Sequence, residues 1–199
     1  MKSNLKKYIQ EGIIIVFSIL FALFIDKSFE AYQRNKKKNI AKESILKELY
    51  QNQSILATWK EKHSKIRDSI SAVIEGQADS IKMELKKYDY LNLGILTENQ
   101  SLINAILTNT AWESAKTTGI ITEFEYETIQ KLTHVYSMQE PLTERTLMNI
   151  LDYYFDTDSH DIKNLEKSLT QFQLRFSELT GQEELMLTLY SNAIKQISN

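Results

Sequence analysis

The N-terminal region of the chain is dominated by one continuous apolar segment. Residues 12–25 read GIIIVFSILFALFI, in which Ser18 is the only polar side chain. A helix of this sequence is apolar on every side, which excludes an amphipathic surface helix. The segment by itself spans only about 21 Å, so flanking residues must complete a crossing of the bilayer, with Lys7 and Lys27 reaching outward.

The pattern predicts three regions: a short basic tail (1–11), a transmembrane anchor (12–27) and a single helical bundle domain (28–199). A cleaved signal peptide is the main alternative, and a buried core helix is a further one. The residues after Ile25 read DKSFEAYQR and contain no small-x-small cleavage site, which favours the anchor.

Two long amphipathic stripes follow the anchor. Because no Gly or Pro occurs from residue 13 to residue 75, the anchor is predicted to continue as one helix that ends near Gly76. A second long helix is predicted from Ile162 to Ile197, passing through Gly181 without a break. We expect the two to pack antiparallel. The first stripe comprises Ile45, Leu49, Asn52, Leu56, Trp59, His63, Ile66, Ile70 and Val73; the second comprises Ile162, Leu165, Leu169, Phe172, Phe176, Leu179, Met186, Tyr190, Ala193 and Ile197.

Short helices are predicted between the two stripes, which makes the fold class all-α. Their expected ranges are 79–88, 98–108, 111–118, 123–139 and 142–155. Three of these helices are preceded by a capping-box pattern that begins at Thr97, Thr110 or Thr122. Gly119 suits a helix C-terminus and Pro141 a first helical turn.

Charge is distributed unevenly along the chain. Residues 1–90 contain 17 of the 24 Lys and Arg, whereas residues 91–199 contain 15 of the 26 Asp and Glu. The basic half adjoins an apolar segment, which favours lipid, or the acidic half of the same chain, over nucleic acid as its partner. The count of Lys and Arg on the two sides of the anchor slightly favours a cytoplasmic body, but long domains cross the membrane largely regardless of charge. The short basic tail directly before the apolar run predicts a cytoplasmic N-terminus and a periplasmic body. The chain has no Cys, so disulfides and thiolate chemistry are excluded.

The middle of the chain contains its most specific motif. Residues 110–139 read TAWESAKTTGIITEFEYETIQKLTHVYSMQ. They resemble the pattern aromatic-Glu-x-x-Lys/Gln-x-x-Gly, a short gap, then Leu-x-x-x-Tyr-x-x-Gln. The matching positions are Trp112, Glu113, Lys116, Gly119, Tyr126, Leu132, Tyr136 and Gln139.

This motif resembles a family of uncharacterised, single-pass, helical membrane proteins of Gram-negative bacteria, known as a domain of unknown function. The segment EGIIIVFSILFALFID is similar to that family's anchor, although an Asn-rich stretch with Trp usually follows the anchor there. The resemblance implies a helical domain anchored in the bacterial inner membrane, and it implies no reaction. For Trp112 we predict packing within the domain, with a ligand or partner surface as the alternative.

Catalytic chemistry has little support in the sequence. The histidines at positions 63 and 134 are interpreted as hydrogen-bonded helical residues. The cluster Asp152, Asp156, Asp158, His160 and Asp161 departs from an EF-hand, because Asp161 replaces the glycine and Lys167 the bidentate Glu. In place of metal binding, its acids are predicted to form turns and helix caps. No nucleophile elbow, P-loop or dinucleotide fingerprint occurs. We therefore predict no enzyme activity, no cofactor and no metal.

The sequence accordingly predicts a membrane-anchored helical scaffold or accessory subunit that acts through protein–protein interaction. The alternative is a membrane-tethered sensory or small-ligand-binding helical module with a pocket near Trp112, Tyr126 and Tyr136. The expected partners are the lipid bilayer and a protein of unknown identity, with homo-oligomerisation as a further option and no nucleic acid. The second half of the motif carries glutamates at 123, 125 and 127, which would repel phosphate.

Overall fold

The structure, a computed structural model, describes the backbone of residues 2–198 and the side chains of residues 11–198. Every regular element in that range is helical, which confirms the all-α fold class. The α-helices are α1 (Lys2–Ile74), α2 (Asp79–Leu85), α3 (Thr110–Thr117), α4 (Tyr126–Glu140), α5 (Met148–Phe155) and α6 (Leu165–Ser198). A π-helical segment (Pro141–Leu147) joins α4 to α5, and short 3-10 helices occupy Leu93–Thr97, Ile120–Glu123, Thr157–His160 and Ile162–Asn164.

Helix α1 is a single rod of 73 residues, which makes it about 110 Å long. It ends just before Gly76, whose φ of +73° is a left-handed conformation that favours glycine. From Glu11 to Tyr32 every side chain is exposed. This part of α1 contains a stretch that is long and apolar enough to cross a membrane, and none of that stretch is buried in the body.

The core lies between the second half of α1 and α6, which run antiparallel. Gln53 Nε2 donates to Ser191 Oγ at 2.8 Å, whereas further along α1 the Ser71 hydroxyl accepts from Gln173 Nε2 at 3.0 Å. Residues later in α1 therefore contact residues earlier in α6, as in an antiparallel pair. All nine residues of the first predicted stripe are buried, and so are the residues of the second except the partly buried Ile162. Helix α6 continues through Gly181 as predicted.

A third helical rod packs on α6 and comprises α4, the π-helical segment and α5 without interruption. Pro141 stands at the start of the π-helical segment rather than at the start of a separate helix. A proline lacks the N–H of the α-helical ladder and crowds the carbonyl four residues earlier. The wider π-helical turn accommodates this proline, so the predicted break before 142 is wrong.

The predicted helix over 98–108 is also wrong, because these residues form an irregular loop. Glu98 and Asn99 have φ of 53° and 55°, which no α-helix accommodates. The loop backbone is instead satisfied by side chains of α1. Asn52 Oδ1 accepts from Thr108 N at 2.9 Å, and Lys62 Nζ donates to the carbonyl of Ser101. These contacts replace the hydrogen bonds that a helix would make.

The three capping boxes are not formed. The hydroxyls of Thr97 and Thr122 donate to the carbonyls of Gly94 and Gly119 within the 3-10 turns, and Thr110 is the first residue of α3 rather than its cap. For α3, a side chain from another helix satisfies the free amides at its N-terminus.

Candidate interaction site

The motif of residues 112–139 is centred on a stacked pair of aromatic rings. Trp112 on α3 and Tyr136 on α4 lie with ring centroids 5.6 Å apart and planes within 3° of parallel. Their exposed fractions are only 3% and 7%. The packing predicted for Trp112 is therefore present, and its neighbour is Tyr136, which comes from the second half of the same motif.

Glu48 of α1 caps helix α3 from outside. Its Oε2 accepts from Ala111 N at 2.9 Å, and its Oε1 accepts from Trp112 N at 3.4 Å. Tyr136 Oη donates to the same Oε1 at 2.7 Å, and the Thr108 hydroxyl donates to Oε2 at 3.3 Å. A carboxylate is favourable at a helix N-terminus because it satisfies free amides and complements the helix dipole. Glu48 thus links α1, α3 and α4.

The buried side-chain amide of Asn52 extends this network one helical turn along α1. Asn52 Nδ2 donates to the Thr108 carbonyl at 2.6 Å, so its amide group holds both backbone groups of Thr108. Gln139 Oε1 accepts from Tyr190 Oη of α6 at 2.8 Å and lies 3.4 Å from Asn52 Nδ2. Gln139 Nε2 also donates to the Thr108 carbonyl at 3.4 Å, so the last residue of the motif joins α4 to the loop and to α6.

Burial raises the pKa values of Tyr136 and Tyr190 and so favours their neutral form. Loss of solvent, followed by the hydrogen bond to Glu48, raises the pKa of Tyr136 far above its usual value. Loss of solvent and the nearby Glu48 carboxylate raise the pKa of Tyr190 in the same direction. Both hydroxyls therefore remain hydrogen-bond donors throughout the physiological pH range.

Of the remaining motif residues, Leu132 is buried in the core, whereas the others lie on the surface. Glu113 and Lys116 form an ion pair of 2.6 Å on α3, with Lys116 Nζ 5.7 Å from the centre of the Trp112 ring. Gly119 has a φ of +73° directly after α3. Tyr126, at the start of α4, is 74% exposed. The structure therefore does not bring Tyr126 to the stacked pair, and the pocket predicted from all three aromatic residues is not formed.

Two open depressions flank the Glu48 network. The first, here called the α1–α3 groove, has a volume of about 690 Å³ and lies between residues 37–51 of α1 and residues 110–120. Its lining is mainly apolar or small, including Ile40, Ala41, Ala115 and Ile120, with Lys37 and Lys47 among the charged residues. The second has a volume of about 560 Å³ and includes Trp112 and Tyr136 among its lining residues.

A buried ionisable pair connects α1 and α6. His63 and Glu183 are both 0% exposed, and His63 Nδ1 lies 2.6 Å from Glu183 Oε1. The other ring nitrogen lies 3.0 Å from the carbonyl of Leu102, so it must carry a proton and donate it. The contact between Nδ1 and Oε1 therefore links α1 to α6 through two buried polar side chains. Within the described chain, Glu183 Oε2 and the nearby Trp59 Nε1 have no hydrogen-bond partner.

The other two histidines differ from each other. His134 is exposed on α4. The ring of His160 bridges the carbonyls of Leu91 at 3.1 Å and Tyr154 at 2.8 Å, while Asp161 accepts from Lys163 N as the predicted cap. Among the residues that the structure describes, no group of three His, Asp or Glu side chains is arranged to hold a metal ion.

The sequence interpretation missed Glu48 and Glu183. Both residues fall in phase with the buried stripes, since Glu48 follows Ile45 by three positions and Glu183 follows Leu179 by four. An acidic side chain at such a position was a usable signal of a buried partner. The sequence did not show which residues these partners are, because His63 lies 120 positions from Glu183 and Tyr136 lies 88 positions from Glu48.

Searches against family models, curated proteins and solved structures found no match to this chain. The resemblance of the motif to the domain of unknown function therefore stays a prediction.

Proposed function

We propose that this protein is a single-pass protein of the bacterial inner membrane whose helical body lies in the periplasm. There it acts as a scaffold or accessory subunit through protein–protein interaction, without catalysis. The resemblance to a family of anchored helical proteins supports the same proposal.

The continuity of α1 is the observation that carries this proposal. One helix includes both the exposed apolar segment and the buried stripe of the body, with no hinge between them. Apolar side chains such as Ile13, Phe17 and Phe24 are 63%, 67% and 68% exposed, which is favourable only in a non-aqueous environment. A body joined to its anchor in this way is held at a defined height and orientation, as a scaffold requires.

Alkaline extraction of native membranes tests the anchor. We expect the protein to stay in the membrane pellet, whereas release into the supernatant would contradict the proposal. Because the chain has no Cys, a single Ser28→Cys variant also reports orientation. A membrane-impermeant maleimide added to intact spheroplasts labels this cysteine if the body is periplasmic, and a cytoplasmic body would leave it unlabelled.

A crosslinked pull-down from gently solubilised membranes, through a C-terminal tag, tests the interaction. We expect one different protein in a fixed stoichiometric ratio. Recovery of this chain alone would favour a homo-oligomer and would reject the accessory-subunit assignment.

The depression beside Trp112 and Tyr136 favours a second candidate function, a membrane-tethered module that binds a small ligand. Its volume of about 560 Å³ lies within the usual range of ligand sites. Trp112→Ala separates the two functions. If the variant is less stable but still binds its protein partner, Trp112 is a packing residue and the scaffold is supported. If partner binding is lost while the stability is unchanged, the surface at Trp112 is itself a binding site and the ligand module is supported.

A further inference from the structure

The lysines of the α1–α3 groove lack acidic partners among the residues that the structure describes. Within the described chain neither Lys37 nor Lys47 forms an ion pair. The acidic residue in the groove lining is Glu48, whose carboxylate already accepts hydrogen bonds from Ala111 N and Tyr136 Oη. The groove is therefore an apolar surface with uncompensated positive charge, which complements an occupant that has acidic flanks.

The basic character extends along the neighbouring part of α1. Between residues 34 and 47 this helix carries six Lys and Arg but only one acid, Glu43. Of the six, only Arg34 has an acidic partner within the described chain. It lies 3.7 Å from Glu30 and 3.9 Å from Glu123. Most of this positive charge is thus available to a partner.

An exposed apolar line connects the groove with the apolar segment. Ile25, Phe29, Tyr32 and Ile40 recur at helical spacing on one side of α1, and their exposed fractions are 53%, 60%, 64% and 54%. Ile40 also belongs to the groove lining. The exposed Lys36 stands between Tyr32 and Ile40 on the same side, so the line leads from the end of the apolar segment into the groove with one basic residue within it.

The lining of the groove suits a helix. Ala41, Ser44, Ala111, Ser114 and Ala115 have small side chains, which allow the backbone of a neighbouring helix to approach closely. The part of α1 that lines the groove, residues 37–51, extends for about 21 Å, or four helical turns. An amphipathic helix binds such a surface through residues spaced three and four apart.

We propose that the α1–α3 groove binds an acidic amphipathic helix of a second membrane protein, which leaves the membrane beside the anchor and follows α1 into the groove. Its apolar face covers the line from Phe29 to Ile40 and the small residues of the groove, and its acidic flanks pair with Lys37 and Lys47. This inference rests on the proposed membrane anchor.

Site-specific photocrosslinking in the cells that make the protein tests this inference. A photoreactive amino acid replaces Ser44 in the full-length chain, and a matched control replaces Leu185, an exposed apolar residue of α6. We expect the Ser44 position to give an adduct whose crosslinked peptide lies next to a transmembrane segment of another protein and has acidic residues beside an apolar face.

Charge reversal provides the second measurement. Lys37→Glu combined with Lys47→Glu should reduce the Ser44 adduct by about tenfold or more, because like charges then face each other. The control combines Lys163→Glu with Lys167→Glu, two exposed lysines near the start of α6, and should leave the adduct unchanged. Circular dichroism of both variants should match that of the parent protein.

Four outcomes would overturn the inference: an adduct with lipid, an adduct with a second copy of this chain, an adduct that charge reversal does not change, or no adduct above the Leu185 control. Alkaline extraction of the same membranes separates this result from failure of the anchor. A chain that stays in the pellet but fails the crosslinking test refutes only the groove partner, whereas a chain that is extracted refutes the anchor itself.

Discussion

At the scale of single residues, buried polar side chains of α1 decide how the body is assembled. Glu48 holds the N-terminus of α3, and Asn52 holds both backbone groups of Thr108. The buried pair of His63 and Glu183 joins α1 to α6. Each of these groups would be costly to bury alone, so each restricts the body to the arrangement that supplies its partner.

Removal of the Glu48 carboxylate should destabilise the body. Glu48→Ala leaves the amide of Ala111 and the hydroxyl of Tyr136 without their acceptor, so we expect a loss of about 2–4 kcal/mol in the free energy of unfolding. Urea unfolding of the detergent-solubilised protein measures it. Glu43→Ala, an exposed position on the same helix, is the control and should change this free energy by less than about 0.5 kcal/mol. Equal effects of the two variants would contradict the capping role.

The pair of His63 and Glu183 should show strong energetic coupling. His63→Leu or Glu183→Leu alone leaves a buried polar group without its partner and should cost about 3–5 kcal/mol. The double variant removes both groups, so its cost should be smaller than the sum of the single costs by at least about 2 kcal/mol. Urea unfolding of the four proteins gives this coupling. Additive costs would show that the two side chains act independently.

Stability should fall at alkaline pH because of Tyr136 and Tyr190. Their pKa values are raised in the folded state. Above about pH 10 the unfolded chain therefore releases protons that the folded chain retains. The contribution of the two tyrosines to the free energy of unfolding is complete below that pH and is lost above it. Each tyrosine should lower the free energy of unfolding by about 1 kcal/mol between about pH 10 and pH 11, and by about 1.4 kcal/mol per pH unit further above the unfolded pKa. Tyr190→Phe should reduce the slope measured by urea unfolding between pH 10 and 11, whereas Tyr50→Phe, at an exposed position, should not.

At the scale of elements, side chains of helix α1 supply backbone hydrogen bonds to a loop that has no regular structure of its own. The loop over 98–109 carries no regular structure, yet its backbone is anchored by Asn52, Lys62 and His63. Leu102 and Leu107 of the same loop are buried in the core. The loop is therefore a packed part of the body, and its conformation depends on a helix that lies about forty to sixty positions earlier in the chain.

Two glycines should respond in opposite ways to substitution by alanine. Gly181 lies inside α6 with open space around the position of a Cβ atom, so Gly181→Ala should stabilise the protein by about 0.5–1 kcal/mol. Gly119 has equally open surroundings but a φ of +73°, so Gly119→Ala should destabilise it by about 1–2 kcal/mol. Thermal unfolding of both variants measures the difference. A gain in stability at Gly119 would contradict the left-handed conformation.

At the scale of the whole molecule, the rod formed by α1 sets the geometry. The helix connects the apolar segment to the three packed rods of the body, and the side chains from Glu11 to Tyr32 remain outside the packing. The body is therefore presented at the end of a stiff support, with the α1–α3 groove on the side of the body that adjoins this support.

The rigidity of this support can be measured by pulsed electron resonance. Spin labels attached through Ser28→Cys and Tyr50→Cys should be separated along the axis by about 33 Å with a narrow distribution, because 22 helical residues connect them. Ala31→Pro should broaden the distribution, since proline interrupts the helix. The unfolding temperature of the body should stay the same, as residue 31 is outside the packed region. A broad distribution in the parent protein would contradict a continuous rod.

The sequence by itself determined the all-α class, the two long helices, their buried stripes and the exposed apolar segment. These features follow from spacings of three and four residues and from continuous apolar composition, which are local properties of the chain. The positions of α3 and α4 were predicted to within a few residues from the capping patterns and Gly119, although the capping boxes themselves are not formed. The packing of Trp112 was predicted from its place on one helical face.

Only the tertiary structure decided the loop over 98–109, the continuous rod through Pro141, the cap supplied by Glu48 and the pairing of His63 with Glu183. At the loop and at the start of α3, a local preference competed with partners that lie elsewhere in the chain. Thr110 became the first residue of α3 rather than its cap, because a buried carboxylate on α1 satisfies the amides of Ala111 and Trp112 and also accepts from Tyr136. Hydrogen bonds between distant segments leave no periodic trace in the sequence, so packing alone revealed them.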